Sequence, residues 1–145
     1  MTGRRVAAAV GLLAAAFGPA ACGGPSADLY VVERTGSTPG ARLSMVVSDG
    51  GAVSCNRSPQ DPITSAQLIE AREITDELNG DEEAPGPAVL GVRLKPGEGS
   101  ILRYRVRTEK GTVAFSDTSK GQPEAFYRLA RLTRRLAKDS CGLAR

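Results

Sequence analysis

Two arginines, Arg4 and Arg5, precede twelve consecutive residues without a polar side chain, Val6 to Phe17, and Gly18-Pro19-Ala20-Ala21 closes the run. As a helix, twelve residues span about 18 Å, well short of a hydrocarbon core of about 30 Å. A cationic start, a short apolar middle and a small-residue end are the parts of a secretory signal. A buried N-terminal helix is the rival reading, but this stretch has no polar face to turn toward water. Residues 1–21 therefore read as a removable leader. The fold has to be built from the remainder, in a compartment where disulfides form.

The next residues narrow the address. Pro19-Ala20-Ala21-Cys22 resembles the lipobox of bacterial lipoproteins, in which the cysteine receives a diacylglyceryl group. Pro19 departs from the aliphatic residue usual at the first lipobox position. Residues 22–27, beginning Cys22-Gly23-Gly24-Pro25-Ser26, resemble the flexible tether that follows such a cysteine, and residues 28–145 remain as a single exported domain. The resemblance implies attachment to the outer surface of the cell membrane through a lipid on Cys22. Cleavage after Ala20 or Ala21 without acylation would give a freely secreted protein instead. Counting thiols favours the anchor. With Cys22 acylated, Cys55 and Cys141 form an even pair, whereas otherwise one thiol is left over. A Cys55–Cys141 bridge would close a loop of about 86 residues, contributing about 4 kcal/mol by chain entropy. Two unrelated buried thiols are the alternative.

Charge and composition exclude several functions. Arg4 and Arg5 account for two of the 19 basic residues, so the exported part carries 17 against 16 acidic ones. It is nearly neutral, and no nucleic-acid partner is expected. Histidine is absent, which removes the usual general base and the commonest metal ligand. The three cysteines lie too far apart in sequence to suggest a zinc site. No metal, cofactor or catalytic residue is expected.

Along the domain, Leu29 to Arg34 reads as a strand and Gly36 to Gly40 as a turn-rich loop. Arg42 to Ser48 alternates, with Leu43, Met45 and Val47 on one face. Asp49-Gly50 signals a two-residue hairpin returning through Ala52 to Asn56. Pro59 to Pro62 reads as loop. Thr64 and Gln67 have the spacing of a capping box, and Leu68, Ala71, Ile74 and Leu78 form the inward stripe of a helix ending at Asn79-Gly80. Ala88 to Leu94 reads as a strand beyond the acidic connection Asp81 to Pro87. Ile101 to Thr108 alternates clearly, and Thr112 to Ser116 follows a Gly111 turn. A second helix spans Pro123 to Asp139, with Pro123 suited to its first position and Phe126, Leu129, Ala130, Thr133, Leu136 and Ala137 inward. Strand, glycine turn, strand and helix thus occur twice, which is compatible with duplication. The pattern predicts an α+β domain: a mostly antiparallel sheet of about five or six strands with both helices packed on one face.

Three features have the chemistry to act. Arg103, Arg105 and Arg107 fall on one side of a strand, about 7 Å apart, suited to an anionic polymer, lipid headgroups or an acidic partner. The bland reading is a solvated face paired with neighbouring carboxylates. On the second helix, Arg128, Arg131, Arg135 and Lys138 lie within about 80° of one another. They would suit an anionic membrane surface, or they pair with Glu70, Glu73, Asp76 and Glu77 of the first helix. Ser116-Asp117-Thr118-Ser119-Lys120 places serine near lysine, a hydrolase pairing only where the lysine is deprotonated; loop residues are the simpler reading. Asp81, Glu82 and Glu83 lack the ligand spacing of a calcium loop.

Leu29-Tyr30-Val31-Val32-Glu33-Arg34, Ala71-Arg72-Glu73 and Phe115-Ser116-Asp117-Thr118-Ser119 together resemble a group of small actinobacterial lipoproteins of unassigned function. That resemblance implies no activity. Val53-Ser54-Cys55, Ala66 to Leu78, Pro85 to Leu94 and Ile101 to Ser116 are similar in order to subtilisin-inhibitor-like proteins, which implies a secreted serine-protease inhibitor. Those proteins brace a reactive loop with a disulfide, however, and Asp81 to Pro87 has no cysteine; they also lack a long final helix. The leading expectation is a lipid-anchored, non-enzymatic module that binds another envelope protein or an anionic polymer.

Overall fold

The computed structural model describes residues 27–143, so the leader 1–21 and Cys22 lie outside the described residues. One six-stranded antiparallel sheet organises the chain, in the order β4-β3-β2-β1-β5-β6. Its strands are β1 (Asp28–Gly36), β2 (Leu43–Ser48), β3 (Ala52–Cys55), β4 (Asp61–Pro62), β5 (Leu102–Arg107) and β6 (Thr112–Ser116). Two helices, α1 (Ser65–Asn79) and α2 (Glu124–Asp139), pack on one face and touch each other. The expected α+β class is the observed one.

Period-two alternation decides which face is covered. Tyr30 and Val32 of β1, Leu43, Met45 and Val47 of β2, Val53 and Cys55 of β3, Tyr104 and Val106 of β5, and Val113 and Phe115 of β6 are all buried. Register places these residues side by side, as in Val32↔Met45, Val32↔Val106 and Tyr104↔Phe115. Ala71, Ile74 and Leu78 of α1 and Phe126, Leu129, Leu132 and Leu136 of α2 complete the same core. Phe115 stacks between Tyr104 and Phe126, with ring centroids 5.0 and 4.5 Å away. Strands β1, β2, β3, β5 and β6 and both helices thus share one core within residues 27–143, the condition for folding without the leader.

The capping box forms as spaced: the Gln67 backbone N–H donates to Thr64 Oγ1, and the Thr64 N–H donates to Gln67 Oε1. The Cys55–Cys141 disulfide is present, with Cα atoms 6.1 Å apart, and joins the end of β3 to the residues after α2.

Several expectations are corrected. Ala88 to Leu94 is not a strand. Pro87 has no N–H for a ladder, and Gly91 at φ 62° turns the chain. Only Arg93 bridges Ala114, in parallel, with Leu94 N–H donating to Ala114 O and Ala114 N–H to Val92 O. The stretch still covers the free edge of β6. Gly111 admits it closely: a Cβ there would lie 2.0 Å from the Ala88 carbonyl oxygen. The sixth strand is instead Asp61–Pro62, within the expected loop, paired to Ala52 and Val53. The β2–β3 reversal takes three residues, 49–51, because Gly51 supplies a left-handed φ of 80° before Ala52 pairs with Ser48. Pro123 is the N-cap of α2, in an extended conformation, and the helix starts at Glu124. Leu132, not named from the sequence, is fully buried, and Ala130 is only half-buried.

Candidate functional site

The sheet face opposite α1 and α2 carries one of the two basic rows expected from the sequence. Alternation that buries Tyr104 and Val106 turns Arg103, Arg105 and Arg107 outward, and all three are exposed. Their register partners on β1 are Thr35, Glu33 and Val31, and on β6 Ser116, Ala114 and Thr112. Glu33 is thus the one carboxylate opposite the row. Arg42, one residue before β2, and Arg57, just beyond β3, border the same face. With Glu33, Thr35 and Ser44 they line a shallow cavity of about 520 Å3. Glu33 also lines two smaller hollows, of about 180 Å3 beside Arg105 and Arg107, and about 350 Å3 beside Arg103 and Arg105. None of these five arginines, nor Glu33, takes part in an ion pair among the described residues.

Arg57 is held there at a conformational cost. Asn56 and Arg57 have φ of 52° and 64°, both left-handed. For a residue with a Cβ this costs about 1–2 kcal/mol. The turn is secured by Ser58 N–H donating to Cys55 O at 2.9 Å and Ser44 N–H donating to Asn56 Oδ1 at 2.9 Å.

The cationic row on α2 has a different fate. Arg128 bonds Glu73 at 2.6 Å and also Glu77, and Arg135 bonds Glu70. The Glu73 hydrogen bond is the main reason the Arg128 guanidinium is held above its ordinary pKa. These pairs clamp α1 to α2. Arg131 is exposed and outside any ion pair among the described residues. The two basic rows are therefore separated: β5's faces open sheet, and on α2 Arg128 and Arg135 are paired with the neighbouring helix while Arg131 and Lys138 are exposed.

The serine-rich loop is structural in its contacts. Ser116 and Ser119 are buried, their hydroxyls 3.1 Å apart, and Ser119 Oγ donates to Lys95 O. Gln122 Nε2 donates to the Ser116 and Ser119 carbonyls. The Asp117 carboxylate accepts from the Ile101 and Leu102 N–H groups, tying down the start of β5. The acidic connection closes on itself, with Asp81 Oδ1 accepting from Glu83 and Ala84 N–H and a bridge between Gly80 and Pro85.

Sequence reasoning missed Arg42, Arg57 and Glu33 as neighbours of the row. Arg42 and Glu33 carry a signal, being out of phase with the buried positions of their strands. Arg57 carries none, because a left-handed arginine is not written in any periodicity. It also missed Arg34, which is 1% exposed and shares the buried face. Its Nε and Nη2 donate to the Ala41 and Gly40 carbonyls, while Nη1 has no partner among the described residues.

No family profile, curated protein or solved structure matches this chain. Among the described residues, no helix is long and apolar enough to cross a membrane.

Proposed function

We propose that this chain is an exported, lipid-anchored envelope protein, a non-enzymatic module that binds an anionic component of the envelope through its open sheet face. The supporting observation is the gathering of Arg42, Arg57, Arg103, Arg105 and Arg107 about Glu33 on the face opposite α1 and α2. Guanidinium groups present several donors each and suit phosphate and carboxylate acceptors. Arginines outside any ion pair among the described residues are available for a ligand on this open face, whereas Arg128 and Arg135 of α2 are already committed to Glu70, Glu73 and Glu77. The signal-like leader, the lipobox-like Pro19-Ala20-Ala21-Cys22 and the remaining cysteine pair support the location.

Affinity capture from a detergent extract of the envelope, with the anchored protein as bait, tests this reading. The wild-type chain is expected to retain an anionic component that a chain carrying Arg103→Ala, Arg105→Ala and Arg107→Ala does not retain. Equal recovery by both baits would show that the face is not the binding surface.

A further inference from the structure

The open face has a charge, a shape and an attachment point, and together these select among anionic partners. Five arginines and one glutamate leave it strongly cationic, while on the helix side Glu70, Glu73 and Glu77 offset Arg128 and Arg135. The two helices together carry six basic and six acidic residues, so the helix side is balanced while the open face has an excess of positive charge. Three hollows open on this face, and all of them border Glu33. The apolar groups between the arginines, Val31, Val46, Ala52 and Ala114, are half-buried rather than protruding. Contact with a flat anionic surface would be electrostatic, without insertion.

The strand that follows the proposed anchor starts at one end of this face. β1 begins at Asp28, and Val31, three residues later, pairs with Arg107. From Cys22 to Asp28 the chain reaches at most about 20 Å when fully extended. A lipid on Cys22 would hold Asp28 within that distance of the bilayer, with Arg107 about 10 Å and Arg103 about 24 Å further along the strands, and make contact intramolecular in effect. We infer that the ligand of the open face is the anionic phosphate headgroup layer of the same bilayer that holds the Cys22 lipid, with the sheet lying face down on it. This rests on the binding reading above and specifies its ligand.

Co-sedimentation with vesicles tests the inference, using soluble oxidised protein beginning at Ala27 so that no lipid contributes. Binding is expected to vesicles of phosphatidylglycerol mixed with phosphatidylcholine, not to phosphatidylcholine alone, and to weaken with added salt. At about 1 kcal/mol per cationic residue near the surface, or about fivefold each, Arg103→Ala with Arg105→Ala and Arg107→Ala lowers affinity about a hundredfold. A variant with the same charge change elsewhere, Lys120→Ala with Arg131→Ala and Lys138→Ala, is expected to bind like wild type; both variants are checked for unchanged thermal unfolding. Equal loss in the two variants, or no preference for phosphatidylglycerol, overturns the inference. A polyphosphate resin run in parallel separates the two levels. Arginine-dependent retention on it without vesicle binding overturns the membrane inference alone, and absence of both overturns the binding reading as well.

Discussion

Glu33 and Arg105 stand opposite each other in the β1–β5 register, on the uncovered face, without forming an ion pair. A cross-strand pair of this kind contributes up to about 1 kcal/mol when made. Left unmade, it sets a lone negative charge within a ring of five guanidinium groups. Under the proposed binding reading, Glu33 restrains the anion. Glu33→Gln is expected to raise retention on a polyphosphate resin, shifting elution to higher salt, with stability changed by no more than about 0.5 kcal/mol. Elution at lower salt would mean that Glu33 helps to present the arginines.

Arg57 exchanges conformational ease for charge. Arg57→Gly removes the left-handed strain at φ 64°. Offset by the greater freedom of glycine in the unfolded chain, the expected result is stability unchanged or raised by up to about 1 kcal/mol. Elution from the polyphosphate resin is expected to move to lower salt. Urea unfolding and the resin report the two effects separately; a clear loss of stability would show that the arginine side chain holds the turn.

The Cys55–Cys141 bridge spans 86 residues and fixes the chain after α2 to the end of β3. Replacing both cysteines by alanine is expected to cost about 2–4 kcal/mol, measured by urea denaturation against the oxidised wild type. The core remains large without the bridge, so the variant should still unfold in one cooperative transition. An unaltered midpoint would mean that the packing of α2 alone fixes this end of the chain.

Tyr30 is buried and its hydroxyl has no partner among the described residues. Burial, and secondarily the charge of Glu70, pushes its ionisation well above the ordinary tyrosine value of 10.0. Its contribution is thus fully present below about pH 10 and is lost as the pH rises toward the folded-state value, because the unfolded chain releases the proton first. Tyr30→Phe is expected to be neutral or stabilising by about 1 kcal/mol at pH 7, since an unsatisfied polar group disappears. It should also flatten the loss of stability above pH 10. Thermal unfolding followed across that range checks both; a destabilised variant would indicate that the hydroxyl has found a partner.

Much of this architecture is legible because periodicity dictates burial. The alternation of Leu43, Met45 and Val47, and of Tyr104 and Val106, placed one face inside and the β5 arginines outside. Thr64 and Gln67 marked the start of α1 through a local capping interaction that needs no tertiary context. Errors arose where tertiary contacts override the local pattern. Ala88 to Leu94 has strand composition, but Pro87 and Gly91 bend it into a cover for β6. Asp61–Pro62 has loop composition, yet it pairs because β3 offers an edge. Arg34 shows the limit most plainly: its phase in β1 points inward, its charge argues outward, and phase prevails because the Gly40 and Ala41 carbonyls receive its guanidinium. For the site, the β5 row could be read directly. Whether carboxylates would neutralise it could not, because that depends on which strands become its neighbours.

Both the binding reading and its membrane form depend on the chain working outside the cell membrane, held through Cys22. Intact mass of the protein from a lipid-modifying bacterial host measures this most directly. The account predicts a species that lacks residues 1–21, carries added acyl mass on Cys22, and is two hydrogens lighter than its dithiol form. A full-length species with residue Met1 in place and three free thiols would contradict it.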